Sequence, residues 1–234
     1  MWMELLEIFR SGDPMKLVAD EFMKMLAITH EMANIVQPTI FDHSLSLEGR
    51  KQIYDLDVQV NKLERSIRKR IISHLTLHHS HVPYCLLLMS LVKDAERIGD
   101  YVKNVADLSE LGGGEVPSGE LRDELTDQVN TIMRLFEATP QVLAKQDREG
   151  ANELIRIGRN AGKRSDKLVF EVARSADMNA AQLTSLVLLT RFYKRIGAHL
   201  VNILSSVVMP LHKVDYFDED YLDRPPVDSS DPEA

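Results

Sequence analysis

Apolar residues recur at three- and four-residue intervals along most of the chain. In one long segment they stand at Ile53, Val60, Leu63, Ile67, Ile71 and Leu75. This spacing places them on one face of an α-helix, whereas a half-buried strand would alternate apolar and polar residues. No segment shows sustained strand alternation. The pattern therefore predicts an all-α protein in which each long helix buries one apolar stripe against antiparallel neighbours.

Capping and breaking residues divide this pattern into six helices. The predicted boundaries are Asp13-Pro14 to about Gln37-Pro38, a start at Ser46, Pro83 to Gly112–Gly114, about 119 to 146, Asp147 to about 175, and Asn179 to Met209-Pro210. We expect Ser118 to cap the fourth helix and Pro140 to interrupt or bend it.

The stretch 112-GGGEVPSG-119 separates the first three predicted helices from the last three. The phrase 97-RIG-99, with Asn104, returns as 195-RIG-197, with Asn202, and 61-NKLERSIRKRI-71 resembles 166-DKLVFEVARSA-176 in the same order. Such repetition indicates a duplicated three-helix unit. The predicted organisation is a first repeat over 1–112, a linker over 113–119, a second repeat over 120–210 and an acidic tail over 211–234.

The negative charge is concentrated at the carboxyl end. Of a net charge of −8, residues 214–234 contribute −7 through eight acids and one base, which leaves −1 for the remaining chain. A nearly neutral body with an acidic tail does not attract nucleic acid. The tail also has few apolar residues and the pair Pro225-Pro226, so we expect it to be disordered.

The cysteine content and the apolar runs indicate a cytoplasmic protein. Cys85 is the single cysteine, which excludes an intramolecular disulfide and is typical of a reducing compartment. The thiol stands within 84-YCLLLMSLV-92, and we expect it to be buried as a small apolar side chain. That run is about half of a membrane span, so we expect no membrane-spanning helix, although the protein can still work at a membrane surface.

Two pairs of oxygen-bearing side chains form the candidate site. Glu96 and Asp100 are four residues apart on the third helix, and Asp57 and Asn61 are four apart on the second. Residues at this spacing lie one turn apart on the same helix face, and carboxylate and amide oxygens suit Mg²⁺, Mn²⁺, iron or zinc. The alternative is a solvated surface on which Arg97 forms ordinary ion pairs.

These motifs resemble those of the PhoU family of phosphate-transport regulators. The likeness lies in Arg97-Ile98-Gly99 preceded by Glu96 and followed by Asp100 and Asn104, and in the helix 57-DVQVNKLERSIRKRIISHL-75. It implies two tandem three-helix bundles and iron, zinc or another divalent metal on Glu96, Asp100, Asp57 and Asn61. It also implies that the partners are a phosphate transporter, a sensor kinase or both, and that the protein works in the cytoplasm at the inner membrane. A homodimer would be consistent with this family.

The second half departs from this pattern. Gly162 and Asp166 occupy the positions that correspond to Asp57 and Asn61, and Lys194 and Ala198 those that correspond to Glu96 and Asp100. Only one of these four side chains offers a carboxylate. We therefore predict that Lys194 pairs with Asp166 in place of a metal ion.

Other candidate groups carry less weight. The histidines of 74-HLTLHHSH-81 could bind zinc or nickel, yet they lie at a helix end where polar residues are expected. His199 has no acidic neighbour in sequence, so we expect it to be packed or exposed. The chain has no nucleophile motif or phosphate-binding glycine loop, which argues against an enzyme. Two alternatives stay open: a metal-free helical interaction module, and a di-metal oxidase, which would use Glu-x-x-His pairs that this sequence lacks.

Overall fold

The computed structural model describes residues 14–42, 44–78, 80–111, 115–175 and 178–214. Six α-helices account for most of them: α1 Pro14–Val36, α2 Leu47–Leu77, α3 Val82–Asp107, α4 Glu120–Lys145, α5 Arg148–Val172 and α6 Ala180–Val208. Short 3-10 helices span Gln37–Thr39, Leu108–Leu111 and Leu211–Lys213. These ranges contain no strand, which confirms the all-α prediction. Asp13, Gly112–Gly114 and the acidic tail from residue 215 lie outside the described residues.

Local side-chain caps set the starts of three helices as the sequence predicts. Ser46 Oγ accepts the Gly49 N–H at 3.0 Å at the start of α2. Asp147 Oδ1 accepts the Gly150 N–H at 3.0 Å at the start of α5. Asn179 begins α6 with a reciprocal capping box, because its side chain and that of Gln182 each accept the other's backbone N–H. Such caps contribute about 1 kcal/mol each.

The expected cap of α4 is wrong, and so is the expected interruption at Pro140. The N-cap position is held by Gly119 and not by Ser118, with a φ of 146° and no side-chain cap. The helix also continues through Pro140 to Lys145 without interruption. Apolar side chains are buried on both sides of the proline, at Leu135, Phe136, Val142 and Leu143. Their packing keeps the segment helical although the proline lacks an N–H.

The helices form two sets of three, as predicted. α1, α2 and α3 pack on one another, and so do α4, α5 and α6. The two sets meet mainly where α3 packs on α6, with a smaller contact between α1 and α4. Buried apolar side chains form one cluster that extends through both sets. Cys85 is buried in it, with its thiol 3.6 Å from Met15 Sδ.

The helices run antiparallel to their neighbours in sequence. In the first set, Ser66 of α2 donates to Glu21 of α1 at 3.0 Å. In the second set, Arg164 of α5 donates to Glu124 of α4 through two hydrogen bonds of 2.7 Å. None of the helices described has the length and the hydropathy needed to cross a lipid bilayer.

Candidate functional site

The packing of α2 against α3 brings the predicted site residues together. Asp57 is 7% exposed on α2, and Asn61, one turn further along, donates its side-chain N–H to Asp57 Oδ2 at 3.3 Å. Asp100 faces this pair from α3, since a single ammonium group contacts both Asp57 and Asp100. We call Asp57, Asn61, Glu96 and Asp100 the carboxylate cluster.

The ammonium group belongs to Lys103, a residue that the sequence analysis did not single out. Its Nζ lies 2.9 Å from Asp57 Oδ2 and 3.2 Å from Asp100 Oδ1. Burial by itself lowers the pKa of Lys103, but the hydrogen bonds and charges of Asp57 and Asp100 outweigh burial and raise it. The side chain is therefore a cation at neutral pH. The sequence did hold a signal for this ion pair: Lys103 stands three positions after Asp100, and that spacing places the two side chains on the same helix face.

Glu96 lies at the edge of the carboxylate cluster among other charged groups. Burial raises the pKa of the Glu96 carboxyl, and the carboxylates of Asp100 and Glu64 raise it further. Arg97 opposes them, with Nε 3.7 Å from Glu96 Oε2 and a terminal nitrogen 3.2 Å from Asp100 Oδ2. Both the ion pairs expected of an ordinary surface and the predicted clustering of oxygens therefore occur at this site.

Gly99 of α3 lies close to the carboxylate cluster. It is buried in the middle of the motif, and a Cβ atom at this position would lie 3.5 Å from Thr29 Cγ2, 3.8 Å from Val60 Cγ1 and 3.9 Å from Asp57 Oδ1. These are ordinary contact distances, so a methyl group would fit here without displacing its neighbours.

The second half places a lysine in the corresponding region. Lys194 Nζ of α6 lies 2.6 Å from both carboxylate oxygens of Asp166 on α5, which confirms the predicted pairing. Arg191 adds a contact of 3.3 Å to the same carboxylate. Gly162 lies beside this pair, since a Cβ there would be 4.0 Å from Lys194 Cε. The positions that correspond to the carboxylate cluster are therefore also brought together.

In the conformation described, the carboxylate cluster does not fit a metal centre. Within the ranges that the structure describes, no three His, Cys, Asp or Glu side chains form a group that could hold a metal ion. Lys103 Nζ contacts the oxygen atoms of Asp57 and Asp100 that a metal ion would need as ligands. The metal predicted on Glu96, Asp100, Asp57 and Asn61 stays a prediction.

The histidines at the end of α2 form a separate group. The ring centroids of His74 and His78 lie 5.4 Å apart, and those of His74 and His81 lie 6.0 Å apart. His74 Nε2 lies 3.1 Å from the carbonyl oxygen of Ser80, to which the ring nitrogen can only donate. His74 therefore stabilises the turn before α3. His79 lies outside the described residues.

His199 contacts a carboxylate in space although no acid is near it in sequence. His199 Nδ1 lies 2.7 Å from Asp94 Oδ1, where α6 packs on α3. Asn202 donates to the same oxygen atom at 3.1 Å, and the Tyr101 ring stacks on His199 at 5.8 Å. Asp94 is 6% exposed. The available signal was its position one turn before Ile98 on the apolar stripe of α3, where an acid needs a partner.

A polar groove lies away from the carboxylate cluster, between α1 and α4. Its volume is about 770 Å³, and its lining includes His30, Asn34, Gln37, Asn130 and Arg134. Gln37 donates to Asn130 at 3.2 Å, so the groove spans the contact between the two halves. The groove and the carboxylate cluster are two separate features of the surface.

Comparisons with known proteins agree with the motifs. A family model of the PhoU domain matches residues 22–109, a range that contains the carboxylate cluster and Lys103. A homologue of the phosphate-specific transport system accessory protein PhoU from Synechocystis sp. is 23% identical over 82% of this chain and 87% of its own length. A second such homologue, from Thermotoga maritima, is 21% identical over 82% of this chain and 84% of its own length.

Solved structures share the fold. PhoU from Pseudomonas aeruginosa superposes with a TM-score of 0.75 over 85% of this chain and 97% of that chain, at 19% identity. The phosphate transport system regulatory protein PhoU from Streptococcus pneumoniae superposes with a TM-score of 0.72 over 87% of this chain and 94% of that chain, at 16% identity. Residues 22–109 therefore match the PhoU domain, and the chain is similar to PhoU proteins in sequence and in fold over most of its length.

Proposed function

We propose that the chain is an accessory protein that regulates the transport of inorganic phosphate. The observation that carries the proposal is its likeness to two accessory proteins of phosphate-specific transport systems, over more than four-fifths of each relative. A shared fold by itself does not indicate a shared function. The proposal therefore rests on similarity in sequence that extends over most of both chains.

The protein would act through contacts with other proteins and not through catalysis. Its partners would be a phosphate transporter, a sensor kinase or both, at the inner face of the membrane, and its location would be cytoplasmic and peripheral. The acidic groups of the carboxylate cluster are engaged by Lys103 and Arg97. Such cation–carboxylate networks are typical of structural ion pairs, which supports a regulatory role over an acid–base reaction.

The outward face of α2 is the surface that we assign to these contacts. Lys62, Arg65 and Lys69 are exposed along it, and the part of the chain that the structure describes contains no ion pair to any of the three. Ile72 follows on the same face and is 59% exposed. A row of bases with an apolar residue at its end fits a partner protein that presents an acidic surface with an apolar neighbour.

Capture of partners from the native host tests this proposal. The full-length chain, tagged and expressed at its native level, would be cross-linked in living cells and analysed by mass spectrometry, while phosphate uptake is measured in the same strains. We expect components of a phosphate transporter or its sensor kinase to be captured. We also expect that deletion of the gene changes phosphate uptake.

Charge reversal locates the surface. R65E/K69E on α2 should lose the captured partner and reproduce the uptake defect of the deletion strain. R156E/K163E makes the same change of charge at exposed positions of α5 and should leave both unchanged. If the deletion strain takes up phosphate normally and no transport component is captured, the proposal is wrong. If both double variants behave alike, only the assignment of the surface is wrong.

A metal-free helical interaction module is the second candidate. The contact of Lys103 with both Asp57 and Asp100 supports the metal-free part of this candidate, because an ammonium group already neutralises the site. The two candidates differ in the partner captured. A module unrelated to phosphate would capture the same proteins whether the host grows with ample or scarce phosphate.

A further inference from the structure

Both halves of the chain hold a lysine ammonium against carboxylates, but from different positions of the repeat. In the second half Lys194 corresponds to Glu96 and contacts Asp166. In the first half the ammonium comes from Lys103, whose counterpart in the second half is Val201. The same pairing of an ammonium with acids on the neighbouring helix is thus made from two different positions of the repeat.

The position of Lys103 is the position that a metal ion would need. A cation that binds both Asp57 and Asp100 must lie between them, and Lys103 Nζ is 2.9 Å and 3.2 Å from their oxygens. A divalent ion requires oxygen contacts of about 2.0–2.6 Å, so it could bind both acids only after Lys103 moved away. The displaced ammonium, tethered to the same helix, would then repel it.

We propose that Lys103 is the resident cation of the carboxylate cluster, so that this chain holds the packing of α2 on α3 without a metal ion there. The inference goes against the metal that the family resemblance implies, and it does not depend on the proposed role in phosphate transport. Asp57 is nearly buried, and a buried carboxylate requires a cation or hydrogen bonds. Lys103 supplies both to Asp57 and to Asp100.

The first test is the metal content of the wild-type protein. The full-length chain would be purified without a polyhistidine tag and analysed for iron, zinc and manganese. Its thermal unfolding would be followed with EDTA, with Mn²⁺ and without either. We expect substoichiometric metal and the same melting temperature in all three conditions. Stoichiometric metal that is lost in E96A/D100A, together with a melting temperature lowered by EDTA, would overturn the proposal.

The second test removes the ammonium. K103M keeps the length of the side chain but not its charge, so we expect the melting temperature to fall by about 4 °C and Mn²⁺ to restore it. Mn²⁺ should bind K103M about tenfold more tightly than the wild type, as measured by electron paramagnetic resonance. K103M/D100N should lose this gain, because one of the oxygen ligands loses its charge.

A matched control separates this effect from a general change of charge. K51M removes the ammonium that lies 3.0 Å from Asp55 in an exposed pair of α2, and we expect neither tighter Mn²⁺ binding nor rescue by Mn²⁺. Tighter binding to K51M and K103M alike would overturn the proposal. If K103M does not fold, titration of the wild-type protein with Mn²⁺ tests the proposal instead. One-to-one binding of Mn²⁺ that raises the melting temperature of the wild type would overturn the proposal.

Discussion

Asp94 of α3 and His199 of α6 lie 2.7 Å apart, from Oδ1 to Nδ1, across the contact between the two halves. The carboxylate also accepts a hydrogen bond from Asn202 at 3.1 Å. Asn202 belongs to the repeated motif, so the second copy of that motif contacts an acid of the first half. This polar contact lies within apolar packing and fixes how α3 and α6 align.

Removal of Asp94 should destabilise the protein. D94A leaves the partly buried donors of His199 and Asn202 without their acceptor, and we expect the free energy of unfolding to fall by about 1–3 kcal/mol. Urea denaturation measures the change. D55A, which removes an exposed acid of α2, should change the free energy by less than about 0.5 kcal/mol. A D94A variant as stable as D55A would show that the contact contributes little.

Tyr193 should tolerate the loss of its hydroxyl group. The side chain is 2% exposed, its hydroxyl has no hydrogen-bond partner among the residues described, and burial raises its pKa. We expect Y193F to keep the free energy of unfolding or to raise it by up to about 1 kcal/mol. Y54F is the control, since Tyr54 donates to Asp107 at 2.9 Å, and it should lose stability. A clear loss in Y193F would reveal a partner of that hydroxyl.

Two glycines of α5 should respond oppositely to alanine. At Gly162 a Cβ would meet only Lys194 Cε at 4.0 Å, so G162A should raise the free energy of unfolding by about 0.5–1 kcal/mol through the lower backbone entropy of the unfolded chain. At Gly158 a Cβ would lie 2.5 Å from Val201 Cγ2, so G158A should lower the free energy of unfolding through steric overlap. Thermal unfolding of both variants checks this, and equal melting temperatures would contradict it.

His30 should make the contact between α1 and α4 sensitive to acid. Its ring stacks on Phe136 with centroids 5.4 Å apart. Burial lowers the pKa of His30 from 6.5, although the charge of Glu137 partly opposes this. The folded state therefore binds the proton less readily than the unfolded state. The contribution of neutral His30 to the free energy of unfolding is fully present above pH 6.5. It is lost as the pH falls from 6.5 through the lowered pKa of the folded state.

Urea denaturation at about pH 7.5 and about pH 5.5 tests this dependence. H30Q cannot be protonated in this range, so its stability should fall less between the two conditions than that of the wild type. H212Q, at an exposed histidine, should behave as the wild type does. An identical loss in H30Q and the wild type would assign the acid sensitivity to other groups.

Sequence reasoning predicted the helices best where the cause was local. Ser46, Asp147 and Asn179 start their helices because each cap acts on backbone N–H groups within three residues. Around Pro140 the same rules failed, since packing on both sides of the proline keeps α4 continuous. Local propensity is a weak preference that burial of apolar surface overrides.

The candidate site was predicted in part. The spacing of Asp57, Asn61, Glu96 and Asp100 indicated that these side chains share two helix faces. One acid of each pair, Asp57 on α2 and Asp100 on α3, contacts the same ammonium group. The identity of that cation was not foreseen. A lysine three residues from an acid can equally point into solvent, so only the position of the facing helix decides whether it also reaches Asp57.

The amino-acid sequence by itself determined the helical class, the six segments and most of their starts, because periodicity and capping act over three or four residues. The tertiary structure alone decided which charges meet. Lys103 contacts Asp57, which is 46 residues away in sequence, and Asp94 contacts His199, which is 105 residues away. Partners so distant in sequence are set by how helices pack, and a buried carboxylate is stable only where that packing supplies a cation or a donor.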